Sequence, residues 1–424
     1  MTAVPQQAQT PDPATLALEM LAPGGLEDPY PLYARALETG PVLDVGDGLF
    51  LVAGYDAVNR ALRNPAFGVT GAQSSPEDHE DHDAHDAVGL LARSVLENDP
   101  PEHTRMRALM NSVFTPRRIA AYEPMVAAVT GELLDAFAES GADGAPVDFM
   151  TAFASPLPLT VICEMLGVPA ADRHLFRTLA ADLTIALEFV ADPAVLLPAD
   201  AAAVRLAGYF GELVAERRAH PRESEDLVGA LLAARDAGDG RLSEAELLAN
   251  LTLLLVAGFE TTTDLLGNGL RLLFDHPDVA ADLRSGRVEV GPFVEEVLRY
   301  ESPVQVTSRV VHADGQELAG VPLPRGARLV LLIGAANRDP ARYPDPERFD
   351  PTRAVSRPLS FGAGPHVCIG NGLARLEAAV AFPLLLSRFP HLAPADPPPT
   401  RRDRVVLRGH ATFPVRTGEA APRA

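Results

Sequence analysis

The chain has 424 residues, 47% hydrophobic and 22% charged, a balance typical of a globular protein with a sizeable core. Its formal net charge of −21 would repel nucleic acid and anionic membrane surfaces, so neither is expected as a partner. All 36 basic residues are arginine, which excludes Walker-type phosphate loops and Schiff-base catalysis, and the two cysteines exclude a disulfide framework.

The first hundred residues contain a loose start, a hairpin and an acidic loop. Residues 1–25 are rich in proline, alanine and glutamine, which predicts a loose segment without a secretory signal. A Gly-Asp-Gly turn at 46–48 between two apolar runs predicts a β-hairpin. Residues 77–86 are mostly acid and histidine, which predicts a solvated loop. His79, His82 and His85 have the spacing of a zinc site, but the flanking acids favour the loop.

The clearest helix begins after Ser243. Ser243 and Glu246 fit a capping box, leucines follow at helical spacing, and nothing interrupts the pattern before His276 and Pro277. Such a helix would be about 50 Å long and would cross a whole domain. The longest apolar run, around 251–259, is too short to span a bilayer, so a soluble cytoplasmic protein is expected.

Strands are predicted in two later regions. Residues 304–333 contain turns at 314–315 and 325–326, and a final pair is predicted at 405–407 and 412–415. Almost everything between these regions is helical in pattern. The sequence therefore predicts a mainly α fold with small β-sheets.

Residues 361–370 carry the strongest chemical signal. They read Phe-Gly-Ala-Gly-Pro-His-Val-Cys-Ile-Gly, and Cys368 comes just before a predicted helix over 371–388. Glycines let backbone N–H groups approach a ligand, and a helix N-terminus stabilises a thiolate. A single thiolate is the ligand that haem iron uses for O–O bond cleavage. A buried structural cysteine in a glycine-rich turn is the alternative, which the ten-residue pattern disfavours.

Two helical motifs accompany this loop. Glu296 and Arg299 can pair on one helix face, although such pairs are common on surfaces. At the centre of the long helix, Gly258 and three successive threonines lower helix propensity. Small residues there leave room for a flat cofactor, and Glu260 beside Thr261 offers a proton route. Considered alone, this segment is better explained by a kinked helix whose threonines bond to the preceding turn.

In the order long helix, acid–arginine pair and cysteine loop, the chain resembles the cytochrome P450 family of haem-thiolate monooxygenases over about residues 26–416. The resemblance implies the cytochrome P450 fold, with a long central helix over the haem, as a single catalytic domain followed by a tail over 417–424. It implies haem b (iron protoporphyrin IX) as cofactor and Cys368 as its axial ligand. Phe361 would pack near the sulfur, and Gly364 would form the turn.

The resemblance also assigns a proton route and a pocket. Glu260 and Thr261 match the acid–alcohol pair that delivers protons to dioxygen in the family. The pocket above the haem would be lined by Leu254, Ala257, Gly258, Val304 and Thr412, with parts of 72–95 and 170–212.

Further residues would hold the cofactor and its surroundings. Glu296 and Arg299 match a buried structural pair behind the haem, with Arg348 as its third member and Arg353 close enough to compete. Two unpaired buried propionates would be costly, so basic partners are needed. By resemblance, these partners are His103, Arg107, Arg309 and His366.

No glycine-rich fingerprint for flavin or nicotinamide follows a strand, so electrons are expected from a ferredoxin and its reductase. Arg117, Arg118 and Arg375 are the candidate docking patch. The expected substrate is an apolar or amphipathic small molecule of polyketide or macrolide type, oxidised with O2 by a monomer in secondary metabolism. A haem-thiolate sensor or carrier, or a peroxide-driven oxygenase, remains the alternative, and neither needs Glu260 and Thr261.

Overall fold

The computed structural model describes residues 12–22, 26–70, 85–190, 192–220, 226–236, 242–354 and 356–422. The helices of the first half are α1 (Pro13–Met20), α2 (Tyr30–Thr39), α3 (Tyr55–Arg63), α4 (Asp86–Ala92), α5 (Glu102–Val113), α6 (Pro116–Ala121), α7 (Glu123–Ser140), α8 (Pro156–Leu166) and α9 (Phe176–Leu183). Those of the second half are α10 (Leu197–Ala219), α11 (Leu227–Asp236), α12 (Glu244–Asp275), α13 (Pro277–Arg284), α14 (Val290–Tyr300), α15 (Ile333–Ala336) and α16 (Asn371–Arg388).

The strands are short and form small sheets. They are β1 (Val42–Gly46), β2 (Leu49–Val52), β3 (Phe67–Gly68), β4 (Val147–Asp148), β5 (Val306–Val311), β6 (Gln316–Leu318), β7 (Val321–Leu323), β8 (Arg328–Leu332), β9 (Ala393–Pro394), β10 (Thr400–Arg401), β11 (His410–Thr412) and β12 (Pro414–Arg416). The largest sheet has the order β1-β2-β8-β5-β3. The predicted fold class, mainly α with small sheets, is confirmed. The predicted hairpin at the start of the chain is also confirmed, with Val42 opposite Val52.

The long helix α12 is the centre of the molecule. Its capping box is formed: the Ser243 hydroxyl accepts from the Glu246 backbone, and the Glu246 carboxylate accepts from the Ser243 backbone. The helix packs against α8, α9, α10, α14 and α16 and is buried along most of its length. By length and composition alone, Pro193–Ala219 and Glu244–Asp275 could each cross a membrane, but the second is this buried core helix.

Two predicted segments differ from the structure. Part of the expected loose start is α1, which Asp12 caps and which buries Leu16 and Met20 against the first sheet; residues 1–11 and 23–25 lie outside the described residues. The predicted strand at 405–407 is wrong, because β11 pairs with β10. Residues 405–407 instead give their backbone N–H groups to the Glu188 carboxylate. Glu188 is far from this loop in sequence, and the hydrophobic periodicity of residues 405–407 gives no sign of the contact. This acid therefore sets the conformation of the loop.

Candidate functional site

The cysteine loop is a tight turn built on two glycines. Gly362 and Gly364 have φ of 66° and 70°, which favours glycine at both. A Cβ on Gly364 would lie 2.3 Å from the carbonyl oxygen of Leu62 in α3, so this position also has no room for a side chain. The Cys368 N–H donates to the carbonyl of Phe361 at 2.8 Å and closes the turn just before α16. The sequence pattern therefore fixes where the sulfur sits.

Opposing effects act on the Cys368 thiol. Burial raises its pKa, while the backbone N–H groups of Gly370 and Asn371 and the guanidinium groups of Arg107 and Arg375 lower it. The turn and the helix start therefore act as expected, but burial outweighs them. A bound metal ion deprotonates a coordinating thiol, so this thiol is suited to iron rather than to free nucleophilic chemistry.

The predicted basic side chains converge beside this loop. The rings of His103 and His366 are 4.1 Å apart, and Nη2 of Arg107 donates to the Val367 carbonyl at 2.6 Å. Arg309 is 4% exposed, and its charge is felt by His366. Burial lowers the pKa of Arg309 to about 10, with Glu97 and Asp99 opposing. Four basic groups are thus brought together from α5, β5 and the cysteine loop.

The electrostatics of this cluster fit a bound anion. Burial, and then the charge of Arg309, lower the pKa of His366 to about 3. Burial and Arg107 lower that of His103, whose buried Nε2 has no hydrogen-bond partner among the described residues. Groups that suppress one another's protonation gain most from a nearby anion. The cluster and the thiol together therefore fit a haem with two propionates.

A small face of α12 is accessible although its neighbours are buried. Ala257 is exposed and Gly258 and Thr261 are partly exposed, whereas Phe259 and Glu260 are enclosed. The Thr261 hydroxyl donates to the Ala257 carbonyl at 2.9 Å, the back-bonded arrangement that the sequence allowed. This face offers an alcohol and space for a flat ligand on an otherwise packed helix.

Glu260 does not share this accessible face. Its carboxylate is bound by Arg402, and a second amino group of Arg402 binds Asp264 one turn along α12. The acid and alcohol are therefore adjacent in sequence but their side chains have different partners.

Three of the five predicted pocket positions, Leu254, Ala257 and Gly258, lie on this part of α12, whereas Val304 and Thr412 lie on other segments. Leu254 is buried one turn before Ala257, and Val304 forms an isolated bridge with Leu407. Thr412 is a correction: its hydroxyl pairs with that of Thr400 on the exposed face of the β10–β11 hairpin. The next residue, Phe413, contacts Phe274, which is about 25 Å along the helix from Ala257.

The structural acid–arginine pair is buried, and its third member is not the expected one. Glu296 and Arg299 form two hydrogen bonds of 2.8 Å, with side chains 1% and 0% exposed. Arg353, not Arg348, binds Glu296 at 3.1 Å, while the Arg348 side chain is 67% exposed near Asp350. The backbone turns between 344 and 353 decide this, because they direct Arg353 inward.

This buried pair is coupled to the cysteine loop. Nη1 of Arg299 donates to the Asn337 carbonyl at 3.1 Å, and the Asn337 amide oxygen accepts from the Leu359 N–H at 2.7 Å. Ser360 donates to the Leu298 carbonyl at 2.6 Å. The pair therefore supports the segment that leads into residues 361–370.

The remaining predicted residues have mixed placements. Arg117 and Arg118 are on α6, which packs against α16, whereas Arg375 binds Glu295 and covers the Phe361 ring at 4.4 Å. His79 and His82 lie outside the described residues. His85 contacts Asp200 at 2.7 Å, and no group of three potential metal ligands occurs in the part of the chain that the structure describes.

Sequence reasoning missed Arg402, Asp264 and Glu188. The i, i+4 spacing of Glu260 and Asp264 places both on one helix face and could have indicated a shared partner. Nothing in the sequence identifies Arg402 as that partner, because the hairpin that carries it folds back from far along the chain.

Comparisons with known proteins give one consistent result. The family model described as Cytochrome P450 matches residues 47–413. The chain is 40% identical over 392 residues to cytochrome P450 monooxygenase PikC of Streptomyces venezuelae, covering 92% of this chain and 90% of that protein. It is 39% identical over 400 residues to 6-deoxyerythronolide B hydroxylase of Saccharopolyspora erythraea, covering 92% and 96%. The solved structure of CxnD, a cytochrome P450 for C–S bond formation in chuangxinmycin biosynthesis, matches with a TM-score of 0.85 at 36% identity, covering 96% of this chain and 98% of that one.

Proposed function

Since the chain belongs to the cytochrome P450 family and is a monooxygenase of that family, we propose that it inserts one oxygen atom of O2 into a polyketide- or macrolide-like small molecule. Relatives in macrolide and polyketide tailoring support this substrate class, and one of them hydroxylates 6-deoxyerythronolide B, as its name states. The accessible, uncharged face of α12 at Ala257 and Gly258 supports an apolar or amphipathic substrate. The catalytic unit is residues 26–416, which contain the stretch matched by the family model.

The observation that carries this proposal is the convergence of basic groups on the cysteine loop. Cys368 would be the axial ligand of haem b, with Phe361 and Gly364 shaping the turn around it. The propionates would be held by His103, Arg107, Arg309 and His366. When bound, haem b supplies the iron that binds and activates dioxygen.

The chain's own residues then manage water and protons. Leu254 is buried one turn before Ala257, and Val304 is held by its bridge to Leu407; as lining residues of the proposed pocket, both would keep bulk water from the reacting atoms. The Thr261 hydroxyl can donate a hydrogen bond toward this space once it leaves the Ala257 carbonyl. The Glu260 carboxylate is held by Arg402, so it supplies a proton to that hydroxyl once it has left the arginine, taken up a proton and turned toward Thr261.

Electrons come from a ferredoxin and its reductase, acting on a monomeric, cytoplasmic enzyme. Arg117 and Arg118 are on α6 beside the start of α16, near the cysteine loop, which supports docking of an acidic partner there. Arg375 is engaged with Glu295, so it is a weaker contributor. Reversing Arg117 and Arg118 to glutamate should slow reduction most at low salt, and unchanged rates would argue against this surface.

The proposal is tested by spectroscopy on the purified, haem-supplemented protein. A reduced sample with carbon monoxide should show the absorption of a thiolate-ligated haem, and Cys368→Ser should abolish it. A screen of macrolides, linear polyketides and terpenes should give Soret shifts for the first two classes. A colourless protein, or equal pigment and an equal spectrum in the serine variant, would contradict the proposed ligand, and shifts confined to terpenes would contradict the substrate class.

A further inference from the structure

Arg402 is shared between two buried acids on the central helix. Glu260 and Asp264 are one turn apart, and the two amino groups of Arg402 bind one carboxylate each. The side chains of the two acids are 4% and 0% exposed, while that of Arg402 is 21% exposed. Oδ2 of Asp264 and Nε of Arg402 have no hydrogen-bond partner among the described residues. Within hydrogen-bond distance, the cluster therefore has one positive charge for two carboxylates, and the charges of Arg401 and Arg404 act on it from farther away.

The C-terminal hairpin forces this arrangement. The Arg402 N–H donates to the Gly409 carbonyl at 3.1 Å, which fixes the arginine opposite the glycine. A Cβ on Gly409 would lie 1.7 Å from Oδ1 of Asp264, so only glycine lets the hairpin lie this close to α12. Arg401 is not available as a second partner for the acids, because it binds Asn268 and Glu301.

We propose that Asp264 is a positioning residue, which shares Arg402 with Glu260 and so allows the Glu260 carboxylate to leave the arginine and turn toward Thr261. A guanidinium with only one buried carboxylate would hold it, because releasing that acid would strand a buried charge. With Asp264 present, Arg402 keeps a partner after Glu260 turns. Before each delivery, the released Glu260 carboxylate takes up one proton from solvent on the exposed side of Arg402. It passes that proton to the Thr261 hydroxyl and returns to Arg402 as a carboxylate. This inference depends on the proposed role of Glu260 and Thr261.

The sharing of Arg402 between Glu260 and Asp264 depends on pH, because Asp264 titrates. The charged groups that act on Asp264 are Arg402, Glu260 and Arg401, and burial dominates them and raises its pKa to about 6. Below that pH, Asp264 is neutral and Arg402 is held by Glu260 alone. Above it, the two carboxylates compete for one guanidinium, and Glu260 can be released. Proton delivery should therefore become faster as the pH rises through about 6.

The test compares Asp264→Asn with Asp264→Glu and with Asp275→Asn, an exposed acid that binds Arg271 near the end of the same helix. In the holoprotein, oxygen consumption driven by NADPH, a ferredoxin and its reductase needs no identified substrate. Wild type and D275N should show a rise in rate through about pH 6. D264N should lack this rise and run about tenfold slower at pH 8, and D264E should restore it. Anaerobic reduction rates should be equal in all variants.

A second readout is independent of turnover. Infrared titration of the resting holoprotein, taken as the difference between wild type and D264N, should show a protonated carboxyl band that disappears near pH 6; bands of other buried acids such as Glu97 and Glu377 cancel in this difference. No such band in the difference spectrum, or a D264N rate profile equal to that of wild type, would overturn the sharing. If E260Q and T261A slow oxygen consumption while D264N does not, the proton route stands and only the sharing fails. If E260Q and T261A also match wild type, the proton route fails and the inference with it.

Discussion

Replacing Arg353 tests which arginine completes the buried cluster behind the cysteine loop. Arg353→Met keeps most of the side-chain volume and removes the guanidinium. Arg348→Met makes the same change five residues earlier in the chain. Arg353 donates to Glu296 at 3.1 Å and to three backbone carbonyls at 2.5 to 2.6 Å. Arg348 has only a 3.8 Å approach to Asp350 from a largely exposed side chain.

The expected loss of stability follows from these contacts. A hydrogen bond between charged groups contributes about 2 kcal/mol when buried, and the three carbonyls of Arg353 are near solvent, so each is worth about 0.5 kcal/mol. The free energy of unfolding should therefore fall by about 3.5 kcal/mol in R353M, and by no more than this, since Arg299 still pairs with Glu296. An exposed ion pair contributes little, so R348M should lose less than about 0.5 kcal/mol.

Guanidinium unfolding of the holoprotein, followed in parallel by far-UV circular dichroism and Soret absorption, measures both values. The Soret signal should report the same midpoint shift in R353M, because the cluster supports the loop before Cys368. Equal losses in the two variants, or a larger loss in R348M, would refute the assignment of Arg353 as the third member.

Three other predictions follow from the structure. Gly364→Ala should lower the free energy of unfolding by about 3 kcal/mol or more, and Gly362→Ala by about 1 kcal/mol. Both glycines have positive φ, but only Gly364 lies against the Leu62 carbonyl. Equal losses in denaturant midpoints would show that this close approach does not matter. Burial lowers the pKa of His410 to about 2, so the folded state keeps it neutral and loses stability as the pH falls below its ordinary value of 6.5. His410→Gln should reduce the slope of the unfolding free energy against pH by up to about 1.4 kcal/mol per pH unit, and an unchanged slope would contradict this prediction. Glu188→Gln removes the negative charge from the group that accepts the backbone N–H groups of residues 405–407. This loop should then be held less firmly, so a bound ligand should dissociate faster in stopped-flow Soret traces. Wild-type kinetics would mean that Glu188 does not hold the loop.

Local signals in the sequence were enough for much of the fold. The capping box at Ser243 and the glycine turn at 46–48 depend on residues within a few positions of one another, and both predictions are confirmed. The cysteine loop is local in the same sense, which is why Cys368 and its glycines could be placed in advance. The family assignment rests on such segments together with their order along the chain.

Contacts between residues far apart in the sequence could not be predicted. Whether Arg348 or Arg353 reaches Glu296 depends on turns that no periodicity describes, and Arg402 reaches α12 only because a C-terminal hairpin folds back onto it. The conformation of residues 405–407 depends on Glu188 in the same way. Composition also misjudged the first residues, since α1 needs the first sheet to bury its apolar side.

The segment between Arg402 and Gly409 meets three parts of the molecule within a few residues. It binds the acids of α12 at one end, forms the Leu407 bridge to Val304 at the other, and is held in between by Glu188 from beyond α9. With the proposed roles of Val304 in the pocket and Glu260 in proton delivery, changes to this segment should affect substrate preference and oxygen chemistry together. If the segment between Arg402 and Gly409 is redesigned for a new substrate, the share of reducing equivalents consumed without product should change as well. Variants should be screened for both properties together.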